Sequence, residues 1–481
     1  MKYEAVIGLE VHVQLKTASK MFCGCINEYG GDQNTHTCPI CLGMPGALPT
    51  PNEKAIIHTI QSGLMLNCQI APVCKFDRKN YFYPDMPKNY QTSQSDLPLC
   101  IGGHVTLHKY AFPKDVQKES LASEDKKIRI NHIHLEEDVA KSTHYTDHSG
   151  IDYNRAGTPL MELVTEADLR HADEAFAFLT TLKQILIYGN VSDADMEKGQ
   201  LRCDVNISIR PVGQEKFGTK CEIKNMNSIS AVRRALKYEI DRQIDVVSSG
   251  GIIQQYTLGW SDDLGETFQM RKKEDSHDYR YFPCPDLLPI RTNEGLHQEA
   301  EKLIPELPDK KKERFMQDFQ LTEYQAEVLA SERPLADYYE NAAQTAKNQA
   351  AVANFIINDF LATEPDFSDV SIPAKHFAEL SNLVEGGKIN SKGAKVIIAE
   401  LLENPRSPEA IAKEKDLMQD LDPSVVENWC QEAIAGNAKS VEDFKSGKKA
   451  AINALKGYVM KQSRGKANPA LVEEILLKKL S

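Results

Sequence analysis

The segment Glu4–Leu15 reads EAVIGLEVHVQL, and its alternation decides how the N-terminal half of the chain is built. Strand residues two apart point to the same side. Leu9, Val11, Val13 and Leu15 therefore take one face, while Glu10, His12 and Gln14 take the other. LRCDVNISIRP (Leu201–Pro211) repeats the design, with Leu201, Cys203, Val205, Ile207 and Ile209 opposite Arg202, Asp204, Asn206, Ser208 and Arg210. TKCEIKN sets Cys221 and Ile223 against Lys220, Glu222 and Lys224.

Solvent exposure accounts for any one of these polar faces, because antiparallel sheets often wet one side. The balance shifts once HLEEDVAK (134–141) and DYNRAGTPLMELVTE (152–166) add Glu136, Glu137, Asp138, Asn154, Arg155 and Glu162. Carboxylates with a histidine form a hard-donor set suited to Mg²⁺, here Glu10, His12, Glu136, Glu137 and Glu162. Arg155, Arg202 and Lys224 would then neutralise charge on a transferring phosphoryl group.

Farther along, the pattern up to about Pro289 is strand-like, interrupted by helices in DEAFAFLTTLKQILIYG (173–189) and in the stretch that Ser228 or Ser230 caps and Gly250 closes. After Pro289 only helical periodicity remains, as in SERPLADYYENAAQTA and INSKGAKVIIAELLENP. The expected fold is α+β: a mostly antiparallel-sheet cradle domain over 1–292, an all-helical domain over 293–407 and a small helical tail over 408–481.

The cysteines at 23, 25, 38 and 41 bracket a loop of Gly, Asn, Asp and Thr, so Cys23, Cys25, Cys38 and Cys41 can share one tetrahedral Zn²⁺. Four thiolates leave no open position, which makes this a structural knot rather than a reaction centre. His36, inside the loop, is the alternative ligand, and a solvent-facing role is the bland reading for it. An odd total of 11 cysteines in a long chain without a signal-peptide layout points to a reducing, cytoplasmic setting without disulfides. No apolar run approaches the roughly 20 residues of a membrane helix.

The formal charge of −12 argues against indiscriminate nucleic-acid binding. The last stretch is nevertheless basic, with Lys448, Lys449, Lys456, Lys461, Arg464, Lys466, Lys478 and Lys479, and can grip a polyanion locally. Phosphate loops of the GxxxxGK[ST] and GxGxxG kinds are absent, as are GxSxG and HExxH, so any nucleotide is held without the common cradles.

In order along the chain, IGLEVHVQL, NTHTCPICLGMPGALP, KNYFYPDMPKNYQTSQ, HLEEDVAK, DYNRAGTPLMELV, GQLRCDVNISIR, KCEIKNMNS and DYRYFPCPDLLP closely resemble the GatB family. These are B subunits of tRNA-dependent amidotransferases, and GKANPALVEEILLKKL resembles the family's YqeY-like tail. The resemblance implies a subunit that binds misacylated tRNA, phosphorylates the aminoacyl side-chain carboxylate with ATP and Mg²⁺, and receives ammonia from an amidase-type GatA partner braced by small GatC. It implies catalytic roles for Glu10, His12, Asn154, Arg155, Asp204 and Lys224, and nucleotide contacts from Lys79, Tyr81, Lys88, Arg202 and Asn206. Tyr83 and Asp85 lie in the same segment, expected near the ammonia path. Two positions depart from the family pattern: Ala140 stands where glycine is usual, and Cys284 where a carboxylate is usual. The rival readings are a non-catalytic zinc-containing tRNA adaptor and a two-metal nuclease or phosphatase.

Overall fold

The computed structural model describes residues 2–272, 278–363, 365, 367, 370–419, 422–463 and 465–480. It divides into two compact units, Met1–Leu307 and Pro308–Ser481.

The first unit is built on a ten-stranded mixed sheet. Its centre runs Cys221–Lys224, Leu201–Pro211, Tyr3–Gln14, Pro159–Thr165, Lys126–Glu137, all neighbours antiparallel. One parallel pairing, of Cys221–Lys224 with Tyr256–Ser261, extends it. The alternation read in the sequence sets which face is covered. Ile7, Leu9, Val11, Val13, Val205 and Ile207 are buried in one continuous core that also takes in the apolar sides of the helices Glu53–Met65, Ala172–Tyr188 and Ile229–Ser248. Ser228 caps the last of these through a bond from Ala231 N–H, the first of the two capping serines the sequence offers.

Two features of the sequence pattern were misleading. The helix Glu53–Met65 lies within the stretch that reads as mainly strand, although Asn52 caps it by accepting from Lys54 and Ala55. Past Pro289 the chain is not purely helical, since Ile290–Arg291 pairs as a short strand with Val73–Cys74. The first unit also extends past 292: the helix Glu294–Lys302 buries Ala300 in the same core, and Gln61 Nε2 donates to Leu303 O. That packing carries the division to Leu307.

The second unit contains two apolar cores, one drawn from Phe315 to Ala412 and one from Val426 to Leu480. The helix Pro408–Glu414, expected at the start of the tail, contributes Ile411 and Ala412 to the former. In the tail Lys448, Lys456, Lys466 and Lys479 pair with Asp443, Glu473, Asp416 and Glu427, so part of the basic charge is internally compensated. Arg464 lies outside the described residues. Among the described residues no helix is long and apolar enough to cross a membrane.

Candidate active site and cysteine knot

Strand register gathers the polar face. His12 pairs directly with Arg202 on one side and with Glu162 on the other, and Glu162 pairs in turn with His134. One row of side chains, Arg202, His12, Glu162 and His134, thus crosses four strands. In the next register Glu10 sits opposite Asp204, with Asn206 beyond it opposite Gly8.

His12 Nε2 is the hub. It lies 3.1 Å from Glu162, 3.7 Å from Glu10 and 3.8 Å from Glu136. His134 Nε2 lies 3.7 Å from both Glu136 and Glu162. Two overlapping donor sets result, Glu10/His12/Glu162 and His134/Glu136/Glu162, each with its ligand atoms within 4.8 Å of one another. All donors are carboxylate oxygen or imidazole nitrogen, which fits a hard divalent cation.

The electrostatics agree. Burial works against charge on His12, yet the bond to Glu162 and the Glu162 and Glu136 charges raise it to about 9. Burial opposes ionisation of Glu162 too, and His134, His12 and Lys79 overcome it and hold the carboxyl low. Glu10 is raised, first by burial and then by the Glu162 charge. Lys79 joins from the Asp77–Asn80 strand: burial disfavours its charge, but Glu136 and Glu162 more than compensate. Tyr281, on the segment that Asn80 ties down through Tyr279 O and Arg280 O, is within the field of Lys79 and Glu136. Tyr81 is raised by burial and by the carboxylates of Asp85 and Glu136.

Two ion-paired groups flank this centre. On one side Lys224 pairs with Asp204 and, at 3.1 Å, with Glu222. On the other, buried Asp138 accepts from Arg202 at 2.9 Å and from Gln14 at 2.8 Å.

A family model described as "GatB/GatE catalytic domain" matches residues 5–298, and a second, described as "GatB domain", matches residues 337–480. The chain belongs to the GatB/GatE family. Relatives described as the B subunit of aspartyl/glutamyl-tRNA(Asn/Gln) amidotransferase include that of Methylacidiphilum infernorum, 61% identical over 481 residues, 100% of this chain and 99% of the relative. That of Opitutus terrae is 48% identical over 488 residues, covering 100% of both chains. That of Carboxydothermus hydrogenoformans is 46% identical over 489 residues, covering 100% of this chain and 99% of the relative.

Not every expected site residue of this GatB-family chain reaches the row. Glu137, expected beside Glu136 as a ligand, is outside both donor sets. It follows Glu136 by one position, and successive strand side chains point oppositely. Its carboxylate pairs with Lys88 and accepts from Thr92 N–H, which commits Lys88 as well. Asn154, expected to be catalytic, spends its side chain on the cysteine loop: Oδ1 accepts from His36 N–H at 2.8 Å and Nδ2 donates to Asp32 O at 2.7 Å. Arg155 anchors the 138–140 turn by donating to Val139 O and Ala140 O. Ala140 is buried and lies outside the left-handed region, so the backbone here does not require glycine. Cys284 is buried, with its N–H donating to Phe76 O.

His134 is the member of the centre that the assignment from sequence omitted. Its signal was present in HIHLEE, where His134 and Glu136 share a face by alternation.

The four cysteine sulfurs lie within 4.8 Å of one another, with Cys38 and Cys41 Sγ atoms 3.9 Å apart. Thiolates at zinc bonds of about 2.3 Å stand roughly 3.8 Å apart, so the arrangement fits that ion. The Cys41 thiol is held down to about 5, chiefly by the bond from Cys23. His36 is not one of the gathered donors.

Proposed function

We propose that this chain is the B subunit of a tRNA-dependent amidotransferase. In this reading it activates the side-chain carboxylate of a misacylated Glu-tRNA(Gln) or Asp-tRNA(Asn) and converts it to the amide. The observation that carries the reading is the row Arg202–His12–Glu162–His134, with Lys79 within the field of the Glu136 and Glu162 carboxylates.

A carboxylate does not accept ammonia directly, because oxide would have to leave. Transfer of the γ-phosphoryl group of ATP to a carboxylate oxygen releases ADP and supplies phosphate as the leaving group. Ammonia then attacks the carbonyl carbon and expels phosphate. Phosphoryl transfer asks chiefly for positioning and charge neutralisation. Magnesium held by Glu10, His12 and Glu162, with His134 and Glu136 beside them, would neutralise charge on the nucleotide phosphates. Lys79 adds a cation within the field of Glu136 and Glu162. Arg202 and Lys224 are held in place by Asp138 and Asp204, which orients their N–H groups at the rim. The buried Oδ1 of Asn206, opposite Gly8 in the register beyond Asp204, has no hydrogen bond within the protein.

Ammonia is supplied in this reading by an amidase-type GatA subunit, with small GatC bracing the pair and zinc stapling the loop beside the site. The cytoplasm is the expected setting. The deciding experiment measures phosphate released from ATP by the chain co-expressed with those partners, comparing Glu-tRNA(Gln), Asp-tRNA(Asn) and uncharged tRNA. Stimulation by a misacylated tRNA that vanishes in Glu10→Gln is expected. Equal turnover with charged and uncharged tRNA would leave the non-catalytic adaptor reading in its place.

A further inference from the structure

Lys20 is 1% exposed, an unusual place for an ammonium group. Its Nζ donates to His36 O at 2.7 Å and to Tyr153 O at 3.3 Å, and lies 3.8 Å from Cys41 Sγ. No carboxylate is among these contacts; the two carbonyls satisfy its N–H groups, and the contact able to carry negative charge is the Cys41 sulfur. A buried lysine without a counter-ion is costly.

The local backbone is arranged to bring it there. Lys20 N–H donates to Cys25 O, and the next residue, Met21, donates to Gly157 O at 2.7 Å. Gly157 has φ +84°, and a Cβ at that position would stand 3.4 Å from Cys41 Cβ and 3.5 Å from Lys20 Cδ. The left-handed turn thus lets the Lys20 stem and the knot pack together against the 153–157 segment.

We propose that Lys20 is the charge-compensating residue of the cysteine knot: its ammonium balances the excess negative charge of a metal tetrathiolate and so sets the knot's affinity for zinc. The inference rests on the zinc reading of Cys23, Cys25, Cys38 and Cys41. A zinc ion with four thiolates carries a net double negative charge, half buried at this site. Lys20 cancels one of those charges from inside the protein, where solvent screens least. Without the metal the ammonium faces the Cys41 sulfur alone rather than a doubly negative cluster, so the lysine favours the loaded state.

The test compares zinc affinity, by competition with a chromophoric chelator, in the full-length chain and its K20M, K20Q and K20R variants, with the Cys38→Ser/Cys41→Ser double variant as the metal-free control. K20M is expected to weaken zinc binding by roughly 10-fold or more, in the range of other outer-shell losses, and K20R to stay near wild type. K20Q keeps N–H donors for the two carbonyls but no charge, so it follows K20M if charge is what matters. If K20M does not fold, K20Q against K20R decides the question alone. Thermal unfolding adds an independent readout: the zinc-induced rise in Tm shrinks in K20M and K20Q, beyond the loss their metal-free forms show from the carbonyls of His36 and Tyr153 left without the ammonium. Unchanged zinc affinity in K20Q overturns the proposal, as does an equal loss of Tm with and without zinc, which marks a packing anchor. Failure of the wild-type chain to bind zinc more tightly than the cysteine double variant would instead overturn the zinc reading itself.

Discussion

His12 and Glu162 face each other across adjacent antiparallel strands, with His12 Nε2 3.1 Å from Glu162 Oε2, and both donor sets of the site meet at that carboxylate. Glu162→Gln keeps the shape and removes the charge shared by His12, His134 and Lys79. Phosphate release stimulated by misacylated tRNA should fall on the order of 100-fold, the usual loss when a preorganised electrostatic group is removed. A variant retaining more than half of the wild-type rate would place the reaction elsewhere.

Lys79 adds to the histidines a cation that acts on Glu136 and Glu162, and its Nζ lies 5.1 Å from the centroid of the Tyr279 ring. Lys79→Met should lower kcat/KM for ATP by roughly 10- to 100-fold, and Lys79→Arg should recover part of it, since charge survives while the point geometry does not. Steady-state kinetics at saturating tRNA checks this. Equal effects of the two substitutions would show that packing rather than charge is what Lys79 supplies.

The polar face was legible because alternation is a local property, readable within each strand. Glu10, His12, Arg202 and Asp204 share a face by period two alone. What alternation does not give is register between distant segments, and register decides that Glu162 meets both histidines. It also does not separate a side chain aimed at substrate from one clasping its own loop. Asn154 and Arg155 carry the chemistry expected of a site and spend it on backbone groups of 32–36 and 139–140. Glu137 was separable by parity from Glu136, although grouping by composition joins them. The helix Glu53–Met65 escaped notice despite an Asn52 cap, because ten of its residues are buried and it lacks a continuous polar stripe.

A pH dependence follows from His58, which is buried on that helix with Nδ1 3.1 Å from Gln61 Oε1. Burial lowers its pKa below the ordinary histidine value. The unfolded chain therefore binds the proton more readily, and this contribution to stability is present above the ordinary value and lost as pH falls through the folded one. Urea unfolding of wild type between pH 7.5 and about pH 5 should show a declining midpoint, and His58→Gln a flatter profile. Parallel profiles would remove His58 from the account.

Asp138 provides the sharpest test of how the rim is held. Its carboxylate is 2% exposed and shared by Arg202 at 2.9 Å, Gln14 at 2.8 Å and Arg155 at 3.8 Å. Removing one partner of a buried pair leaves the other charge stranded, which costs more than the pair contributes. Arg202 is a third exposed, and Gln14 and Arg155 remain, so Arg202→Met should cost on the order of 2 kcal/mol rather than the larger figure for a fully sealed pair. Asp138→Asn in the same background relieves the stranded charge, so the double variant should be more stable than the sum of the single losses predicts, with a coupling of about 1 kcal/mol or more. Chemical denaturation of the four proteins measures it. Strict additivity would mean that the Arg202–Asp138 contact does not hold the guanidinium at the rim, and that its alignment with His12 comes from the strand pairing alone.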